Sequence, residues 1–250
     1  MIDFKIAKNL IVASHISGIY DVNRSTILAN DDYSIVADWA KSISEHGLQA
    51  IIFHNSFSED TCKKFKNEQV NFVKIEYNPQ YNPNVFRYFV YNEFLKQHFQ
   101  SIENIFFTDV SDVVVLKNPF QEKLYLDNPN VVFCGDEPEI LANEWMLNHG
   151  NHLRNKISDY AIFETNFKNE ILLNCGIIGG SIGVMQPFIS KLWTIHEQYN
   201  YDNKTLYTGD MGAFNYLVRT EYNDRIVHGN PVNTEFKKYF SDSACWFKHK

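Results

Sequence analysis

The sequence predicts an α/β protein with one mostly parallel, twisted sheet that is flanked by helices. Short apolar runs alternate with amphipathic stretches through the first half of the chain, which is the order expected of parallel strands joined by helical crossovers. The chain has 250 residues, 44% of them hydrophobic and 21% charged, so one domain of this length can bury a sizeable core. We therefore expect a single domain over residues 1–250. Its last predicted strand runs into the chain end, as expected of a domain cut from a longer protein.

Four strands and three helices are predicted in the first half. The strands are the short apolar runs at 10–16, 48–55, 70–78 and 104–110. The helices lie between them, at 31–47, 58–69 and 83–99. In the first helix, Ile35, Trp39 and Ile43 fall on one face and Gly47 ends the pattern, which is typical of an amphipathic helix packed on a sheet.

The second half alternates less regularly. Further strands are predicted at 131–137, 225–233 and 244–250, and further helices at 139–150 and 209–222. Segment 171–200 has the pattern of a strand, a Gly-rich turn and a helix. Because no run of about 18 apolar residues occurs, we expect no transmembrane helix.

The composition limits which classes of partner and which cellular compartment we expect for this protein. The net charge is −7 at pH 7 and no basic tract occurs, so nucleic acid is not an expected partner. The four cysteines are isolated from one another, which favours reduced thiols in a reducing compartment. The N-terminal stretch has too short an apolar run for a signal peptide. We therefore expect a cytoplasmic protein, and peripheral association with the inner face of the membrane is compatible with the sequence.

Two acids follow the fourth predicted strand, in the stretch FFTDVSDVVVLKNPF (106–120). Ligands of an open parallel sheet bind beyond the carboxyl ends of its strands, where Asp109 and Asp112 are expected to lie. Carboxylates at such an edge can hold Mg²⁺ or Mn²⁺, which prefer oxygen ligands and bridge to substrate phosphates. The alternative is a simple turn, because Asp and Ser are also common turn and helix-cap residues.

The same stretch resembles the DxD-type segment of GT-A-fold glycosyltransferases. The resemblance implies a GT-A-like (Rossmann-like) fold, a divalent cation (Mn²⁺ or Mg²⁺) and a nucleotide-sugar donor. A UDP-sugar is the first candidate for that donor. The acids are three apart here instead of two. Asp112 matches the last acid of the motif, and Asp109 is then expected to reach the ribose, or the metal through water.

Two glycine-containing segments extend the resemblance. LLNCGIIGGSIGVM (172–185) is similar to the N-x-G segment of such enzymes, which implies that Asn174 binds donor-sugar hydroxyls and that Gly179 and Gly180 let the acceptor approach. A tight strand-to-helix connection is the alternative for the two glycines. TGDMGAFNYLV (208–218) resembles a DQxxFN helix start, which implies that Asp210 faces the reaction centre; the alternative is a helix cap.

The resemblance also implies a third metal ligand, a His near the end of the domain. His249 and His228 are the candidates, and His249 is favoured because it lies on a short strand with flanking lysines. Lys250 is expected to assist the diphosphate.

The remaining candidates also follow from the resemblance. Donor-binding candidates are Arg87 on the helix before the acids, Arg24 in the loop after the first strand, and Ala13 and Ser14 at the end of that strand. Asp136 and Glu137 are expected to bind sugar hydroxyls, and Asp136 ranks second to Asp210 as the catalytic base. Trp145 is expected to pack in the core rather than stack on a sugar.

Taken together, these segments predict a metal-dependent glycosyltransferase that acts on a glycan or lipid-linked acceptor in bacterial surface-polysaccharide synthesis. Whether the anomeric configuration is retained or inverted stays open. Two alternatives also stay open. One is a non-catalytic sugar- or nucleotide-binding module. The other is a nucleotidyltransferase, although the segment ASHISGIYDVNRS (13–25) lacks the Gly-rich phosphate loop that such an enzyme would usually have.

Overall fold

The computed structural model describes residues 2, 4–21, 25–201, 209–238 and 244–250. Its centre is a seven-stranded sheet with helices on both faces, which confirms the predicted fold class. Within the described part of the chain, no helix is both long and apolar enough to cross a membrane.

Every strand of the central sheet overlaps a predicted strand, whereas the short strands Tyr20–Asp21 and Thr26–Ile27 are not predicted. The strands are, in chain order, β1 (Asn9–His15), β2 (Tyr20–Asp21), β3 (Thr26–Ile27), β4 (Gln49–His54), β5 (Val70–Lys74), β6 (Asn104–Thr108), β7 (Val113–Val115), β8 (Val132–Ile140), β9 (Ile171–Ser181), β10 (Ile226–His228) and β11 (Phe247–His249).

The helices predicted at 31–47, 58–69, 83–99 and 209–222 begin and end within a few residues of those bounds. The helix predicted at 139–150 starts only at Glu144, because the preceding strand continues to Ile140, and three short helices between 123 and 167 are not predicted. The helices are, in chain order, α1 (Ser34–Glu45), α2 (Glu59–Phe65), α3 (Pro83–His98), α4 (Lys123–Leu126), α5 (Glu144–His149), α6 (Asn151–Arg154), α7 (Tyr160–Phe167), α8 (Ile182–Tyr199) and α9 (Asp210–Glu221). Helix α3 starts where Asn82 caps it and Pro83 takes the first position, which is where a proline is tolerated.

The strand order in the sheet is β10-β8-β9-β6-β1-β4-β5. Strands β6, β1, β4 and β5 run parallel, and β10 runs parallel to β8. Strand β9 is antiparallel to both of its neighbours, β6 and β8. The carboxyl end of β6 therefore meets the middle of β9, where Thr108 lies opposite Ile177, and polar side chains gather at this junction.

The core has two layers because side chains alternate between the faces of each strand. In β1, Leu10 and Val12 pack on the side of α3 and α8, whereas Ile11 and Ala13 pack on the side of α1. All four side chains are buried. A strand that is buried on both faces explains the continuous apolar run seen in the sequence.

The predicted Gly-rich turn in segment 171–200 is wrong, because β9 continues through the glycines to Ser181. Gly179 lies opposite Phe106 on β6, and a Cβ at Gly179 would collide with the Phe106 ring. The glycine is thus needed for a large aromatic on the neighbouring strand, and the chain turns into α8 only after Ser181.

Strand β11 pairs antiparallel with β7, with His249 opposite Val113. The backbone N–H of Lys250 donates to the carbonyl of Asp112 at 2.8 Å. The end of the chain is thereby fixed beside the acids that follow β6.

Candidate functional site

A cleft of about 1000 Å³ opens at the carboxyl ends of β1 and β6. Ser14 and His15 line it from β1, Asp109 and Asp112 from the loop after β6, and Asn174 from β9. This is the crevice in which an open α/β sheet binds its ligands.

Asp109, Asp112 and His249 form the one cluster of potential metal ligands found among the described residues. Each offers one ligand atom, and these atoms lie within 4.8 Å of one another. Two carboxylates and one imidazole make a donor set that suits Mn²⁺, or Mg²⁺ with fewer protein ligands.

His249 is in a state that fits metal binding. Its Nδ1 is buried and has no hydrogen-bond partner among the described residues. Burial lowers the pKa of His249 to about 4, an effect that Asp109 opposes, so the imidazole is neutral at pH 7. A neutral ring offers a nitrogen lone pair to a cation.

Gly176 makes the room for His249. A Cβ at Gly176 would lie 2.9 Å from Cε1 and 3.1 Å from Nε2 of the imidazole. The carbonyl of Gly176 also accepts a hydrogen bond of 2.8 Å from the backbone N–H of Asp109. One glycine therefore contacts two of the three potential ligands.

Arg87 joins the acids of the cleft. Its side chain, which α3 projects into the cleft and which is only 7% exposed, donates to Asp109 through one terminal nitrogen. The other terminal nitrogen lies 3.4 Å from Oδ2 of Asp210, the first residue of α9. Burial alone would lower the pKa of Arg87, but Tyr88 and the two acids raise it, so the guanidinium stays charged.

The carboxylate of Asp109 is held between opposing influences. Burial raises its pKa, Arg87 lowers it, and the neighbouring charge of Asp112 raises it again. Two carboxylates this close repel each other, and a divalent cation between them would remove the repulsion.

Asn174 of β9 forms hydrogen bonds to two other residues that line the cleft. Its Oδ1 accepts a hydrogen bond of 2.6 Å from the N–H of Gly176, and its Nδ2 donates to Oε1 of Glu137 at 2.7 Å. Burial raises the pKa of Glu137, against the effect of the Asn174 hydrogen bond. Both side chains line the cleft.

No protein-family model and no curated protein sequence matches this chain. The solved structure of WbbM, a bifunctional glycosyltransferase without ligand, superposes with a TM-score of 0.53 at 14% identity. That match covers all of this chain and 46% of the WbbM chain, so this chain spans about half of WbbM. The galactosyltransferase LgtC, solved with donor and acceptor sugar analogues, has a TM-score of 0.49 at 12% identity, over 96% of this chain and 86% of LgtC.

The chain has a GT-A-like glycosyltransferase fold. The structural likeness, at such low identity, concerns the fold alone. Function depends on the residues of the site, which the fold does not specify.

The glycosyltransferase fold brings most of the predicted site residues to the cleft. Lining it are Asp109, Asp112, His249, Arg87, Asp210, Asn174, Glu137, Ser14 and Lys250. The ammonium of Lys250 pairs with Asp38 at 2.8 Å, so this lysine already has an acidic partner. Arg24 lies outside the described residues.

Four predicted residues do not reach the cleft. Ala13 is fully buried and points into the core layer beneath α1. Gly179 and Gly180 lie in β9 against Phe106 and the carbonyl of Val131, where close packing rather than an acceptor explains them.

Asp136 is the fourth of these residues. Its Oδ2 bonds Nδ1 of His228 at 2.9 Å, and its side chain lines a second, smaller cavity. This pairing also accounts for His228, the alternative metal ligand, and it leaves Asp210 as the base candidate that lines the cleft.

Sequence reasoning missed several residues of the cleft. Cys175, between Asn174 and Gly176, packs its thiol within 3.3 Å of Arg87 and 3.6 Å of Asp210. Lys237 lines the cleft from a backbone with φ of +62°, and nothing in its sequence neighbourhood signals this. Trp145, expected in the core, is 45% exposed and lines the cleft.

Proposed function

We propose that this protein is a metal-dependent glycosyltransferase. It would transfer a sugar from a nucleotide-diphosphate donor to a hydroxyl of a glycan or lipid-linked acceptor. A UDP-sugar is the first candidate for the donor. The observation that carries the proposal is the cluster of Asp109, Asp112 and His249 at the carboxyl ends of the strands of a glycosyltransferase fold. A turn would not need a buried imidazole beside its two acids, with an Nδ1 that has no hydrogen-bond partner in the part of the chain that the structure describes.

Asp109, Asp112 and His249 would hold Mn²⁺ or Mg²⁺. When bound there, the cation supplies positive charge that stabilises the leaving diphosphate as its bond to the anomeric carbon breaks. Gly176 keeps the imidazole and the Asp109 backbone in place for this role.

Arg87 and Asp210 lie next to this cluster. Arg87 pairs with the carboxylates of both Asp109 and Asp210 and so fixes their relative positions. One guanidinium would thereby link the residue proposed to hold the metal and donor to the residue proposed to face the acceptor. Asp210 is the carboxylate proposed to take the proton from the attacking hydroxyl in an inverting reaction. In a retaining reaction the departing phosphate oxygen takes that proton, and Asp210 then serves to orient the acceptor.

The other cleft residues are proposed to bind either the nucleotide diphosphate or the hydroxyls of a sugar. Ser14, at the end of β1, is proposed to meet the nucleotide base, and Lys250 to turn from Asp38 toward the diphosphate. Asn174 and Glu137, which are already bonded to each other, are proposed to bind sugar hydroxyls.

The biological setting is proposed from the resemblance of the sequence motifs. Small glycosyltransferases of this kind serve the synthesis of bacterial surface polysaccharides, in the cytoplasm or at the inner face of the membrane. We propose that setting for this protein.

Calorimetric titration tests the donor class. UDP, GDP and CMP would be titrated into the protein with and without Mn²⁺, and then into Asp112→Ala. The proposal predicts that one nucleotide binds, that binding needs Mn²⁺ and that Asp112→Ala abolishes it. Nucleotide binding that is equally tight without Mn²⁺ and in Asp112→Ala would contradict the metal-dependent reaction and favour a binding module.

A further inference from the structure

Helix α5 presents an exposed aromatic ring to the cleft. Trp145 is 45% exposed although it lies on a short helix whose next residue, Met146, is buried. Asn143 caps the helix by accepting a hydrogen bond of 2.9 Å from the N–H of Met146. Because α5 is anchored by Met146 and by this cap, the direction of the Trp145 side chain is fixed by the fold.

One face of the Trp145 ring is already covered. The His149 ring stacks on it with centroids 3.6 Å apart and an interplanar angle of 30°. Nδ1 of His149 lies 3.2 Å from the carbonyl of Trp145, which locks the pair one helical turn apart. His149 is buried, so the exposed area of Trp145 belongs to its other face and its edge.

This aromatic pair lies near the proposed reaction centre. Both rings line the cleft that contains Asp210, and Met146 lies within 3.6 Å of a Cβ position at Gly212 on α9. Burial lowers the pKa of His149, and the charge of Asp210 partly opposes this, as expected of neighbouring groups. Trp145 therefore lies in the same cleft as Asp210, on a helix that packs beside α9.

Three acidic residues that are close to Trp145 in sequence share the cleft with it. Glu137, Glu139 and Glu144 line the cleft on the same segment of chain as Trp145. Carboxylate oxygens accept hydrogen bonds from sugar hydroxyls, and an apolar aromatic face packs against the C–H groups of a pyranose ring. These acidic side chains disfavour a sugar that carries a carboxylate of its own, and Lys237, which lines the same cleft, offsets part of their charge.

We propose that Trp145, supported by His149, is the stacking platform of an acceptor subsite that takes a neutral pyranose. This inference rests on the proposed function and names the acceptor class. An uncharged hexopyranoside is the expected occupant, and the acidic residues Glu137, Glu139 and Glu144 disfavour a uronic acid.

Saturation-transfer NMR with simple glycosides tests this subsite. The probes are methyl β-glucopyranoside, methyl β-galactopyranoside and the methyl glycoside of glucuronic acid, each added to protein with UDP and Mn²⁺. We expect a neutral glycoside to bind through its C–H face and the glucuronide to bind more weakly. Trp145→Ala should weaken neutral binding about fivefold, whereas Trp145→Phe should keep most of it.

Leu147→Ala is the matched control. Leu147 lies on the same helix and is 39% exposed, but it does not line the cleft. Equal binding to wild type and Trp145→Ala, equal binding of glucuronide, or no binding of either neutral glycoside would each overturn the subsite. Titration of UDP with Mn²⁺ into the wild-type protein is read separately, so loss of the subsite and loss of the proposed function give different results.

Discussion

The imidazole of His249 lies so close to Gly176 that a residue with a side chain does not fit at position 176 without displacing the ring. The last strand of the chain therefore depends on a glycine in the middle of β9 to bring its histidine to the acids after β6. Three segments that are far apart in sequence meet at this contact.

We expect Gly176→Ala to weaken Mn²⁺ binding by about tenfold or more, because the added methyl group displaces the His249 ring. Electron paramagnetic resonance of free Mn²⁺ during a titration measures the affinity without any substrate. Gly183→Ala is the control, since a Cβ at Gly183 meets no atom within 4 Å. Unchanged affinity in Gly176→Ala would show that His249 is not a ligand in this position.

Removing the guanidinium of Arg87 should destabilise the fold. Arg87→Met leaves the carboxylates of Asp109 and Asp210 without their buried partner, at a cost of about 3–5 kcal/mol in the free energy of unfolding. Urea denaturation measures this change. Adding Asp210→Asn to Arg87→Met should recover part of the loss, because one uncompensated charge is gone.

Arg225→Met serves as the control for Arg87, because Arg225 is exposed and contacts the ring of Tyr222. Its cost should be about 0.5 kcal/mol or less. If both arginine variants lose the same small amount, the Arg87 cluster does not contribute to stability as the structure implies.

Stability should fall in mild acid through His54. Burial lowers its pKa to about 4 in the folded protein, below the value of about 6.5 in an unfolded chain. The unfolded state therefore takes up the proton first, so stability is fully present above about pH 6.5 and declines as the pH falls toward 4. His54 alone should contribute about 1–2 kcal/mol to the loss between pH 7 and pH 5.

Urea denaturation of His54→Gln at pH 7 and pH 5 checks this contribution. The pH-dependent loss should be smaller in His54→Gln than in wild type, whereas His46→Gln, in the turn after α1, should keep the wild-type difference. Identical pH dependence in all three proteins would refute the assignment to His54.

Gly179→Ala should destabilise the protein by about 1–3 kcal/mol, because its methyl group overlaps the Phe106 ring. Phe106→Leu in the same chain should relieve part of that overlap, so the double variant should lose less than the sum of the single variants. Thermal unfolding measures all three. Additive losses would mean that the two residues do not compete for space.

The fold could be predicted from the sequence because each strand of the sheet is a distinct apolar run. The acids could be predicted as a site because they directly follow the β6 run, and a parallel sheet puts strand ends at one edge. The pairing of β11 with β7 could not be predicted from local patterns. His249 was singled out only through the resemblance to glycosyltransferases.

The errors have a common physical cause, which is contact between distant segments. A pair of glycines is a turn signal locally, and only the cross-strand ring of Phe106 explains why Gly179 continues a strand. The sequence predicts Trp145 in the core, because large apolar residues are usually buried. Its exposure depends on where α5 lies beside α9. Asp136 was ranked as a base although its partner, His228, lies 92 residues away in sequence.

The Asp109–Asp112–His249 cluster is proposed to support sugar transfer from a nucleotide donor. The most direct test is the release of UDP from UDP-sugars, with and without Mn²⁺, in the wild-type protein and in Asp112→Asn. We predict UDP release from one donor that requires Mn²⁺ and is lost in Asp112→Asn, with faster release when a neutral methyl pyranoside is present. Nucleotide binding without cleavage of any donor under any metal condition would contradict this proposal and make the protein a binding module.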